Sequence, residues 1–260
     1  MNRMLNFSNR NLKELLRDPL IYIFCLGFPL VMMILFQIIN HYTGGNTPMF
    51  ELHSLLPAII MFSYSFIMLT MSLLVSKDRQ SSFLKRLYSS PMKSGDFILG
   101  YALVGFIIGI LQTILCIVVG LVISTINNIE FLKLGQIMLL ILSQLPILII
   151  NIFLGILFGT LFNDKSAPGI CSIFISLAGI LGGCWMPLDT MGSFETFCRI
   201  LPFYPSVILG RIATNASTSI GAPYTLDSIA YLGLIPIVIF TLGSVVISII
   251  IFKRNMTNDK

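Results

Sequence analysis

Few side chains in this 260-residue chain can bind a metal, attack a bond or carry charge across a membrane, and of these the histidines and the ionised groups stand outside its apolar stretches. His41 and His53 lie in a polar segment, 41–54, with only Glu51 nearby. That is too small a set for a metal centre, and both read as solvated loop residues. Cys25, Cys116, Cys171, Cys184 and Cys198 lack metal-ligand spacing, and three of them fall well inside apolar runs. A thiol there acts as a small apolar side chain. Cys184 and Cys198 both fall near the outer face, where they can pair; unpaired burial is the preferred reading. The Gly-x-x-x-x-Gly-Lys-Ser/Thr phosphate loop is absent, so the chain cannot hydrolyse nucleotide by that mechanism. An intramembrane serine protease needs a histidine base within the bilayer, and neither histidine is placed there. Coupled secondary transporters carry ionised groups inside their helices, as do channels with a charged ring. The hearts of the apolar runs contain no Asp, Glu, Lys or Arg. Any driving force must come from another polypeptide.

Three segments do combine charge with apolar side chains. The first, residues 1–20, places Met1, Met4, Leu5, Leu12, Leu15 and Leu16 at helical spacing, with Arg3, Arg10, Lys13 and Arg17 on other faces. This predicts a basic amphipathic helix in the headgroup plane, broken at Asp18-Pro19. A basic tail serving only topology is the alternative. The second runs Lys77-Asp78-Arg79-Gln80-Ser81-Ser82-Phe83-Leu84-Lys85-Arg86-Leu87-Tyr88-Ser89-Ser90-Pro91. Ser81 or Ser82 serves as N-cap, Phe83, Leu84, Leu87 and Tyr88 form one face, and Pro91 ends the helix. Such a helix lies on the bilayer or inserts into a groove on a partner. Lys85 and Arg86 then pair with acidic groups on the partner or simply set topology. The third segment, 182–228, opens with Gly182-Gly183-Cys184-Trp185-Met186-Pro187 and continues through Pro202, Pro205 and Arg211. Met191, Phe194, Phe197 and Ile200 recur every three residues within it. It is too short and interrupted to cross, and predicts an external or re-entrant helical hairpin.

The elements that position these segments are six apolar runs, at about 21–40, 55–75, 98–125, 135–162, 168–187 and 229–252. About 20 apolar residues span the ~30 Å hydrocarbon core. With 56% hydrophobic and 10% charged residues, the chain departs from soluble domains, which carry about 25% charged residues. The segments between runs, numbered alternately, hold thirteen Lys and Arg on one side and only Lys133, Arg199 and Arg211 on the other. Cytoplasmic loops carry that excess, which predicts both termini in the cytoplasm and an even span count. The net charge of +5 is thereby assigned to topology and anionic headgroups rather than nucleic acid. Residues 1–20 are too polar for a signal-peptide core, and the first run is long enough to remain as a span. The expectation is one all-α membrane domain over 1–260, with six spans, an interfacial helix and a hairpin before the last span. Gly105/Gly109 and Gly155/Gly159 mark helix-packing faces, and Gln37, Gln112, Gln144 and Asn151 are expected to hydrogen-bond between helices.

On these residues the chain resembles the permease subunit of ABC type-2 exporters, the branch that includes antibiotic-resistance and polysaccharide or nodulation-signal exporters. The resemblance covers essentially the whole length. Lys77 to Pro91 is similar to the family's charged-start, Leu-x-Arg-Leu, Ser/Thr-Pro loop. That loop forms a coupling helix seated in an ATPase groove, which assigns the role to Ser82, Phe83, Leu84, Lys85, Arg86, Leu87, Tyr88 and Pro91. Gly183 to Pro187, then Pro202, Pro205 and Arg211, are similar to the segment before the family's last span. The family's Glu-Arg-Glu-x-Gly opening is Lys-Asp-Arg-Gln-Ser-Ser here, and a frequent second proline after Met-Pro is replaced by Met191-Gly192. These departures bear on subfamily and substrate. The resemblance implies no cofactor bound by this chain, with ATP and Mg handled by a separate ATP-binding subunit. It also implies a second permease copy, identical or not, and export of a hydrophobic or amphipathic substrate (drug, lipid-linked or glycan-like) across the cytoplasmic membrane. A non-transport scaffold or sensor using the same loop for docking is the alternative.

Overall fold

The computed structural model describes residues 2–19, 21–45, 47–80, 94–225 and 228–258. These form nine α-helices: α1 (Asn2–Leu15), α2 (Phe28–Tyr42), α3 (Leu52–Gln80), α4 (Ser94–Asn127), α5 (Leu134–Leu161), α6 (Ala167–Leu181), α7 (Ser193–Ile200), α8 (Phe203–Ala213) and α9 (Ser228–Asn258). A π-helical stretch, Ile21–Gly27, leads into α2. No strand forms among the described residues, where one antiparallel bridge joins Ser217 to Pro223. Five segments are long and apolar enough to cross a membrane: Tyr22–Tyr42, Leu52–Gln80, Ser94–Asn127, Leu134–Leu161 and Gly233–Asn255. This is a multi-pass membrane protein.

The bundle is built around α3. Almost every residue from Leu52 to Asp78 is buried, so its apolar side chains meet protein on all sides rather than lipid. Helices α2, α4, α5, α6 and α8 all pack on it. The closest approach is with α5, where glycine removes the side chain. A β-carbon at Gly155 would lie 2.6 Å from the Met68 carbonyl oxygen, and one at Gly159 would lie 2.5 Å from that of Ser72. On α4, Gly109 faces Leu148, and a β-carbon at Gly105 would lie 3.0 Å from Ile152. Both small-residue pairs are thus helix-packing faces.

Three of the four conspicuous polar side chains in the runs link separate segments. Gln37 donates to the Phe50 carbonyl at 2.7 Å, and Gln144 donates to that of Ser206 at 2.9 Å. Gln112 donates to the carbonyls of Ser63 and Cys25. Asn151 instead turns back to Ile147 on its own helix at 2.8 Å.

The fifth apolar run differs from its expected length. Helix α6 has 15 residues, about 22 Å at 1.5 Å per residue, short of the ~30 Å hydrocarbon core. Gly182 and Gly183 end it, and Gly183 takes φ +65°, a conformation glycine adopts without strain.

Candidate functional site at the end of the central helix

The last turn of α3 carries Lys77, Asp78 and Arg79, which tie five helices together. Asp78 falls on the buried face of α3, seven residues after Met71 and four after Leu74, and is only 2% exposed. Its carboxylate accepts from the Tyr101 hydroxyl of α4 at 2.7 Å. It also pairs with the Arg10 guanidinium of α1 at 3.1 Å. Both donors are needed, because a buried carboxylate without partners is costly. Arg10 also meets Glu14 at 3.0 Å, and Glu14 in turn accepts from Lys77 at 2.9 Å. On the far side, Arg79 donates to the carbonyls of Thr160 and Phe162 at the end of α5. Asn255 of α9 reaches the same Thr160 carbonyl at 3.2 Å. The last turn of α3 is thus bonded directly to α1, α4 and the end of α5, and through Thr160 it neighbours α9.

Helix α1 is held beside this cluster by shape as well as charge. Phe7 meets Phe97 and Tyr101 edge-on, with ring centroids 5.4 and 4.9 Å apart. Ser8 donates to the Gly100 carbonyl at 3.0 Å, and a β-carbon on Gly100 would come within 2.6 Å of the Phe7 ring. The apolar stripe expected from the sequence is divided. Of that stripe Leu15 turns into the bundle, beside Phe7, Ser8 and Asn11 from outside it, whereas Leu5 and Leu16 remain 44% and 43% exposed. Lys13, Arg17, Asp18 and Pro19 line a groove of about 840 Å³ with Arg10 and Lys77. The expected coupling residues Ser82, Phe83, Leu84, Lys85, Arg86, Leu87, Tyr88 and Pro91 lie outside the described residues.

The residues expected in the hairpin gather at the opposite end of α3. Pro187 precedes the 3-10 turn Leu188–Thr190, and Pro202 stands before the first residue of α8. Pro205 is buried in α8, where it faces Gly233 of α9. Arg211, counted from the sequence as a loop cation, is only 3% exposed. It donates to the carbonyls of Ser54 and Gly183, at 3.3 and 3.2 Å, and to the Tyr224 hydroxyl at 3.3 Å. Asp189 accepts from the Ser219 amide and hydroxyl, both at 2.7 Å. Glu195 accepts from Arg199 at 2.7 Å and from the Tyr204 hydroxyl at 3.1 Å. Burial raises the pKa of both Tyr204 and Tyr224 above the ordinary phenol range, with Arg211 acting the other way on Tyr224. Both phenols stay protonated and able to donate. Cys184 and Cys198 are buried and unpaired in separate apolar clusters.

Residues 4–215 match the family model of the ABC-2 type transporter. The chain belongs to the ABC-2 type transporter family. No curated protein sequence matches it. The matched region starts inside α1 and ends two residues after α8. It takes in both polar clusters except for Asn255, Ser219 and Tyr224, and leaves out α9. The resemblance read from the sequence extended over the last span as well. The sequence alone singled out Arg10 and Arg211, placed Asp78 in the charged segment without a role of its own, and passed over Glu14, Tyr101, Asp189, Glu195 and Tyr224. For Asp78 a signal existed: a lone acid in a basic segment, in register with the apolar face of α3.

Proposed function

We propose that this permease is the membrane subunit of an ATP-driven exporter, moving a hydrophobic or amphipathic substrate out across the cytoplasmic membrane. A separate ATP-binding subunit would supply ATP and Mg, and a second permease copy would complete the pathway. The family membership carries this reading. In it, both termini are cytoplasmic, α1 lies in the headgroup plane, and α6 completes the sixth crossing with the segment that follows it. The loop helix from Ser82 to Pro91 seats in a groove of the ATPase. Its motion enters the bundle through Asp78 and Arg79, which precede it by only a few residues and are bonded to α1, α4 and α5.

The deciding experiment is co-purification of this chain with its ATP-binding partner from the native membrane. Replacing Phe83 and Leu87 together with Asp should reduce ATPase recovery at least tenfold and abolish export while leaving membrane insertion intact. Each buried apolar side chain contributes ~1.5–3 kcal/mol, so losing two is decisive for docking. Equal recovery with undiminished export would overturn the proposed coupling path. A partner without a phosphate loop would favour a docking scaffold instead.

A further inference from the structure

The groove between α1 and the end of α3 takes no part in the coupling path and is lined by exposed cations. We infer that it binds the phosphate headgroup of an anionic lipid from the leaflet in which α1 lies, so that leaflet charge bears directly on the last turn of α3. The inference rests on the proposal that α1 lies at the membrane surface.

Three faces of α1 carry the argument. Phe7, Ser8, Asn11 and Leu15 fix one face against the bundle. Leu5 and Leu16 expose an apolar strip on the adjoining face, which would set the helix at the hydrocarbon boundary. The remaining arc carries Asn6, Asn9 and Lys13, with Arg17 in the turn that follows. These four, with Lys77 from α3, line the groove of about 840 Å³. Cations on an in-plane helix flanked by such a strip stand at the height of lipid phosphates. Lys13 and Arg17 are exposed and make no ion pair with any described residue. Asn6 and Asn9 add amide donors for phosphate oxygens.

The groove already holds one internal anion. Glu14 lies between Arg10 and Lys77, at 3.0 and 2.9 Å. Asp18 is the other acid at its edge, against the four cations Arg10, Lys13, Arg17 and Lys77. A headgroup phosphate beside Lys13, Arg17 and Lys77 would compete with Glu14 for Lys77, the residue next to Asp78. The exposed strip beside the cations favours a lipid over an acidic protein segment, which has no use for an acyl-facing surface.

The test uses the full chain purified in neutral detergent, without any ATPase. It is incubated with phosphatidylglycerol, phosphatidylcholine or inorganic phosphate, and bound lipid is counted by native mass spectrometry. The wild type should retain phosphatidylglycerol over phosphatidylcholine. Lys13→Gln with Arg17→Gln should cut that preference by about 25-fold, since each cation near an anionic surface is worth about fivefold in affinity. Lys13→Arg with Arg17→Lys should keep the preference, and Lys165→Gln, a cation elsewhere on the exposed surface, should leave it unchanged. Equal retention of the two lipids by the wild type, or a preference that survives the double Gln variant, overturns the site. Inorganic phosphate that displaces the lipid at equal concentration assigns the groove to a soluble anion and also overturns it. If the double Gln variant keeps its lipid preference here and loses ATPase recovery in a separate co-purification, the groove belongs to the protein partner and the lipid site is overturned. Because lipid counting needs no ATPase, failure here is separable from failure of the exporter reading.

Discussion

Asp78 is an acid in the most basic part of the chain, and its environment explains why it is tolerated. A carboxylate that is 2% exposed is stable only with donors in place, and Tyr101 and Arg10 provide them from different helices. Removing the acceptor takes a charge-assisted bond from the buried Tyr101 hydroxyl and leaves Arg10 to Glu14; a buried group that loses its partner costs about 1–3 kcal/mol. Asp78→Ala should therefore lower the melting temperature of the detergent-solubilised protein by several degrees. Tyr101→Phe, which removes one donor and keeps the ring, should cost less, about 1 kcal/mol. A thermal-stability series that places Tyr101→Phe at or below Asp78→Ala would contradict this assignment. The outer pairs of the cluster are another matter. Lys77 is 65% exposed in its pair with Glu14, and exposed pairs contribute only ~0–1 kcal/mol. Lys77→Gln should leave the melting temperature within experimental error of the wild type.

At the scale of elements, the glycines on α4 and α5 have different tolerances. On α5, an added β-carbon at Gly155 or Gly159 meets the backbone of α3, which cannot move without displacing the central helix. On α4, the atoms facing Gly105 belong to the Ile152 and Met71 side chains, which can change rotamer. Gly155→Ala and Gly159→Ala should therefore reduce the yield of monodisperse protein on size-exclusion chromatography several-fold. Gly105→Ala should be close to wild type, and the reverse order would mean that α3 and α5 do not meet as described. Helix α7 shows a similar division of faces. Met191 before it, and Phe194, Phe197 and Ile200 within it, are exposed, while Cys198 is buried and Glu195 is bonded to Arg199 and Tyr204. The three-residue spacing was visible in the sequence because an amphipathic helix writes its period into the residue order. The burial of α8 and Arg211 was not, since it depends on the surfaces of α3 and α5 that receive them.

For the whole molecule, sidedness is the property most open to direct test. Reporter fusions after Lys93, after Lys165 and at the C-terminus should report the cytoplasm, and fusions near Gly45 and Ser217 should report the outside. A fusion after Lys93 that reports the outside would reverse the orientation drawn from charge. The same fusions bear on α6. If its 15 residues and the following segment fail to cross, the fusions at Lys165 and Ser217 will report the same side.

The sequence by itself determined that the protein is helical and spans a membrane. The length and apolarity of a crossing helix are local properties, set by the thickness of hydrocarbon and by the need to satisfy every backbone hydrogen bond within the segment. It also located the glycine packing faces, because Gly105/Gly109 and Gly155/Gly159 place small residues on one side of a helix wherever that helix sits. Only the tertiary structure decided which helix became central, which face of α1 turned inward, and which of the described cations found partners on distant segments. Those outcomes depend on surfaces brought together from distant positions, such as Arg10 with Asp78 and Arg211 with Ser54. No local period encodes that meeting, so it becomes visible only once the helices are packed.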